Sequence, residues 1–188
     1  MIGNMIAAYL GTPTANASLA FDSIQTTTVG AGGSATISFT SIPGTYTHLQ
    51  IRAICRDTNA TTSTVGATAQ FNSDTGANYT QHVLYGTGAA DASAGTASTT
   101  TLSIGNYPKG SETANAFGTF ICDILDYGNT NKYKTVRSLM GYDGNNTNGI
   151  LGMRTGLWMN TAAVTRIDIS SASTAFAQYS SFALYGVK

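Results

Sequence analysis

The chain has 188 residues, of which 42% are hydrophobic and 10% charged, against roughly 25% charged in an average soluble domain. Nine basic and nine acidic residues cancel, which excludes a global field that draws in a phosphate backbone or an anionic membrane surface. Solvent-facing polarity falls to Ser, Thr, Asn and Gly, a composition suited to pleated strands and turns and poorly suited to helices.

The first residues, Met1 to Leu10, are apolar without a clean period, and 11–20 form a small-residue linker rich in Ala and Thr. The first Lys or Arg is Arg52, so the opening lacks the basic start of a secretion signal and is read as retained. It is an N-terminal arm, with Met1, Ile2, Met5, Ile6, Tyr9 and Leu10 as its apolar contacts. No run approaches the roughly 18 apolar residues that cross a bilayer, which argues against membrane insertion.

From Phe21 onward short strands alternate with turn residues. Ile24 to Val29 is Thr-rich, and Ala35, Ile37 and Phe39 alternate with polar neighbours after Gly30-Ala-Gly-Gly33. Leu49, Ile51, Ala53 and Cys55 mark the apolar face of a half-buried strand opposite His48, Gln50 and Arg52. Asp57 to Ala67 reads as polar loop, Thr68 to Asn72 and Tyr79 to Tyr85 as strands, and Gly86 to Ser98 as a mobile loop. Phe117 to Leu125 is apolar on both faces, which predicts a central strand. The turn Asp126 to Asn131 leads into a hairpin partner, Lys132 to Met140. After loop Gly141 to Gly149 come Ile150 to Trp158, Val164 to Ile169 and Tyr179 to Val187, the last tying the C-terminus into a sheet. About ten strands without a 3.6-residue period predict an all-β, antiparallel β-sandwich, jelly-roll-like, over 21–188, with 1–20 as docking arm and linker.

Chemistry-bearing residues are sparse: two His, one Glu and eight Asp. The chain contains no nucleophile elbow, phosphate loop or paired metal-binding histidines, so no catalytic, cofactor or metal site is assigned. His48 and His82 read as surface or cross-strand residues. Asp126 reads as a turn cap, and Asp123 as the partner of Arg137 or Lys134 rather than half of an acid/base pair. The loop Asp143 to Gly149 carries oxygen ligands at alternate positions but has Asn148 and Arg154 where a calcium loop needs Gly and Glu. Cys55 and Cys122 sit in apolar strand patterns and read as buried free thiols, with a bridge between them as the alternative. Among the aromatic residues, Tyr142 and Trp158 are candidates for contact with a receptor or glycan.

Five blocks, Gly32 to Phe39, Ile42 to Arg52, Phe71 to Tyr79, Ile124 to Lys134 and Tyr179 to Lys188, together resemble small structural proteins of tailed-phage particles. The resemblance implies a non-enzymatic virion protein on the outer surface of the particle, commonly a homotrimer with a jelly-roll-like domain. It implies capsid decoration or cementing, with the arm docked on the major capsid protein. The alternative is a short tail or baseplate fibre touching a host surface glycan. Neither reading involves nucleic acid.

Overall fold

A computed structural model describes residues 20–60, 64–145 and 147–188. The arm residues Met1, Ile2, Met5, Ile6, Tyr9 and Leu10 lie outside the described residues. Twelve strands are found among the described residues: β1 (Phe21–Thr28), β2 (Thr36–Phe39), β3 (His48–Cys55), β4 (Thr64–Phe71), β5 (Tyr79–Gly86), β6 (Asp91–Thr99), β7 (Leu102–Pro108), β8 (Gly118–Leu125), β9 (Lys134–Asp143), β10 (Gly149–Trp158), β11 (Ile167–Ser171) and β12 (Ser181–Val187). They form an eight-stranded sheet, β1-β12-β3-β8-β9-β10-β5-β6, and a four-stranded sheet, β2-β11-β4-β7. All pairings are antiparallel. The smaller sheet lies on the larger through β7, which touches β8, β9, β10 and β5.

Period-two alternation explains the layers. Leu49, Ile51, Ala53 and Cys55 of β3 all point into the space between the sheets and are buried. Phe120, Cys122 and Ile124 of β8 join them, and Ile37, Phe39, Ala67, Ala69, Phe71, Ile167 and Ile169 close the core from the smaller sheet. Aromatic side chains form two clusters there. Phe176 meets Phe182 edge-on at 4.6 Å between ring centroids and Tyr107 at 5.5 Å, while Trp158 stacks on Tyr79 and meets Phe71 edge-on. Two strand glycines exist for packing rather than for turns: a Cβ at Gly156 would overlap Leu102, and one at Gly186 would overlap the Tyr46 ring.

β7 is an edge strand whose exposed backbone is covered by its neighbour sheet. Gln81 accepts from the Ser103 amide and the Ser138 hydroxyl donates to the Ile104 carbonyl, each at 2.5 Å. Such capping removes the template that an open edge offers to another strand.

The β8–β9 hairpin and the burial of β12 between β1 and β3 follow the sequence reading. Three segments depart from it. Asp91–Thr99 is strand β6, not loop, because a hairpin with β5 satisfies its backbone even though its Ala, Ser and Gly side chains bury almost nothing. Thr64–Phe71 is strand from Thr64 onward, since Val65 and Ala67 face the core. Leu102–Pro108, unassigned in the sequence, is the strand that covers the centre of the larger sheet.

Candidate functional site

The polar residues singled out in the sequence are committed to the scaffold. Asp126 adopts a left-handed backbone (φ 48°) in the β8–β9 turn and is ion-paired with Lys132. The Lys132 hydrogen bond holds its carboxyl below the usual carboxylate range, and the Lys132 charge adds to this. His48 accepts the Asp126 amide through Nδ1 at 2.9 Å. Asp123 accepts from Arg137 Nη2 at 3.0 Å and from Gln50 Nε2 at 2.8 Å, so Arg137 is its partner and Lys134 is not.

Lys134 is instead fully buried beneath the turn, donating from Nζ to the carbonyls of Asn129 (2.6 Å), Lys132 (3.0 Å) and Thr161 (3.0 Å). Burial, with the Lys132 charge second, lowers its pKa. It is an internal clamp: one ammonium satisfies three carbonyls that fold toward each other.

The structure corrects the reading of Trp158. Its side chain has no exposed surface, and its indole Nε1 donates to Asp74 Oδ2 at 2.7 Å. A ring enclosed by Phe71 and Tyr79 has no face left for a sugar. Asp74 organises the tight β4–β5 turn, accepting also from the Gly76 amide and from Asn78 Nδ2. The Trp158 bond, followed by Asn78, lowers its pKa. Tyr79, whose hydroxyl lies in the same network, is pushed up to about 12, chiefly by burial. Tyr142 is half-buried near the end of β9, bordering a groove with Ile121, Leu139 and Leu151.

His82 is exposed on β5, its ring lying over Gly95 of β6, where a Cβ would sit 2.6 Å from the imidazole. In loop 143–149, Asp143 accepts the Asn145 amide at 2.7 Å, the bond of an Asx turn. Among the described residues no three His, Cys, Asp or Glu side chains group as metal ligands. Cys55 and Cys122 are free and buried, and desolvation raises both thiols well above their ordinary range.

The distinctive surface is one the sequence did not single out. On the outer face of the larger sheet, strand register sets Ile121 (β8) beside Leu139 (β9), Leu139 beside Met153 (β10) and Met153 beside Leu84 (β5). This row of four crosses the strands at right angles. Leu151 and Ile54 flank it one step along, in the register line Ile54, Thr119, Gly141, Leu151. These six are 40–67% exposed, and a groove of about 450 Å³ runs among Leu84, Leu139, Leu151 and Met153. Together they present on the order of 600 Å² of aliphatic surface, the upper end of what a solitary soluble chain shows.

The next register line on the same face is polar: Gln50, Asp123, Arg137, Thr155 and His82. Its charges are matched internally through the Asp123–Arg137 pair. At the end of the apolar row Arg52 is held between the Phe21 and Tyr185 rings, 5.1 and 5.0 Å from their centroids. The face is therefore an aliphatic band with a polar border, Arg52 at its β3 end and Asp91 at its β6 end, an arrangement fitted to contact with another protein surface.

Compared with protein-family models, curated proteins and solved structures, the chain matches none.

Proposed function

We propose that this chain is a non-enzymatic structural protein of a tailed-phage particle, a jelly-roll-like decoration or cement protein on the outer surface of the capsid. The observation that carries the assembly part of this reading is the aliphatic band on the outer face of the eight-stranded sheet. A chain whose described residues include 29 buried hydrophobic ones, yet which leaves six large ones aligned on the outer face, keeps that face for association. The phage part rests on the five sequence blocks that resemble small virion proteins. Residues 1–10 are proposed as the contact with the major capsid protein, and apolar burial at about 25 cal/mol per Å² makes even a short apolar segment an effective anchor. Several such anchors in one assembly add by avidity.

The test is co-sedimentation of the purified chain with phage particles lacking it, followed by electron cryomicroscopy of the bound particles. The expected result is binding that weakens when residues 1–10 are deleted, with density on the capsid. Density on the tail or baseplate would replace decoration by the short-fibre reading, with a host glycan as its target. Absence of binding to any part of the particle would contradict both.

A further inference from the structure

We propose that the aliphatic band is covered by a second copy of this chain, sheet face against sheet face, with the Ile121, Leu139, Met153 and Leu84 row of one copy lying on the same row of the other. The inference rests on the reading of this face as an assembly surface and names its occupant.

Size is the first argument. The band of about 600 Å² and its polar border approach the roughly 800 Å² that each partner contributes to a standard stable interface, so a single matching face suffices.

The second argument is the chemistry of the band. Its six members are aliphatic or thioether side chains, without an aromatic ring; a sugar-binding platform needs exposed rings, and a phosphate-binding one needs clustered cations. Flat aliphatic rows on a β-sheet instead pack against a second sheet about 10 Å away, as the two layers of a sandwich do.

Charge supplies the third argument, and it selects a copy over an unlike partner. A face pressed against itself meets every one of its own charges again, so an unmatched cluster of one sign would repel. Here opposite charges stand at opposite ends of the band: Arg137 is paired to Asp123, Thr119, Thr155 and Ser93 carry no charge, and Asp91 closes the Leu151 line on the β6 side, across the band from Arg52. Arg52 lies at the far end of the row and is occupied by two rings. The whole chain has a formal net charge of zero. An interface of this kind is self-complementary and closes on a two-fold axis.

The test is sedimentation velocity on the purified full chain up to about 100 µM, a range that detects micromolar pairing, beside the double variant Leu139→Glu/Met153→Glu. The expected result is a concentration-dependent dimer whose dissociation constant rises at least about tenfold in the variant, as charge is forced into a desolvated contact. Far-ultraviolet circular dichroism and melting temperature should be unchanged, since both side chains face solvent in the single chain. A second measurement is independent of how the charged variant folds: Leu139→Cys and Met153→Cys chains, oxidised separately and mixed, should form intermolecular disulfides while the parent chain, with its buried cysteines, does not. A parent chain that stays monomeric throughout, or a folded charged variant that pairs as tightly as the parent, overturns the proposal. If the parent is monomeric but the charged variant no longer binds particles, the second copy is wrong and the assembly reading stands. If particle binding is also unaffected, the face serves neither purpose.

Discussion

The two faces of β8, β9 and β10 have nearly the same apolar content and opposite fates. On the inner side Phe120, Cys122, Ile124, Val136 and Met140 are at most 2% exposed beneath the four-stranded sheet. On the outer side Ile121, Leu139 and Met153 are 40–56% exposed. Side chains of one chemical class thus serve folding on one face and are left for association on the other. The difference lies in topology: four strands suffice to cover one face of eight, and nothing else among the described residues crosses to the other. Substitutions on the two sides should therefore separate stability from association.

The largest loss of stability is expected at Trp158. Trp158→Ala empties the space between Phe71 and Tyr79 and removes a hydrogen bond from Asp74, costing about 4 kcal/mol in denaturant unfolding. Lys134→Met comes next. It leaves three inward carbonyls without their donor, and the loss of charge-assisted bonds costs about 3 kcal/mol, read in the same assay. The smallest effect on stability belongs to the outer face. Leu139→Glu should change unfolding free energy by no more than about 0.5 kcal/mol while weakening self-association, so an equal loss of both would remove the distinction between the faces.

Acid should act on the inner network and its turns. Asp74, Asp126 and Asp168 all have folded-state pKa values below their ordinary one, through Trp158, Lys132 and Arg166 respectively as first cause. Each binds its proton less tightly folded than unfolded. Their contribution is complete above the unfolded value of about 3.9 and is lost as pH falls through the lowered folded values. Melting temperature should therefore hold steady from neutral pH down to about pH 5 and drop below about pH 4, and Asp74→Asn should flatten part of that drop.

Much of the fold is legible because it is written in alternation. His48 to Cys55 announces its buried face residue by residue, and Phe117 to Leu125, apolar on both sides, does lie centrally in the larger sheet. What remained hidden has physical causes. β6 carries Ala, Ser, Gly and Thr because it buries nothing, so its place depends on backbone pairing with β5, which leaves no pattern in side chains. β7 is unassigned in the sequence, and at its Gly105 the missing Cβ admits the Phe120 ring. Trp158 reads as a possible binding aromatic because burial depends on which sheet crosses above it.

The outer band was half visible. The double-sided apolarity of β8 was evident, but two covered faces and one covered face give the same string, and only the extent of the second sheet distinguishes them. Register, which places Leu139 between Ile121 and Met153, is likewise set by pairing and not by any one strand. Two of the five sequence blocks, Phe71 to Tyr79 and Ile124 to Lys134, span turns. Asp74 with Asn78 orders the β4–β5 turn, Asp126 with Lys132 the β8–β9 turn, and the Tyr127 hydroxyl donates to the Pro43 carbonyl to join two blocks. They describe a scaffold more than a binding surface, which is why the band lay outside the sequence reading.

Methionine methyl resonances test the central claim most directly, because one methionine reports on each face. Met140 is 2% exposed and Met153 56% exposed. With a soluble paramagnetic agent, the dilute chain should show a broadened Met153 methyl and a sharp Met140 methyl. On association, whether by concentration or on particles, Met153 should become protected and Met140 should not change. A Met153 methyl that stays equally accessible in the associated state would contradict the account, since association would then proceed without the outer face.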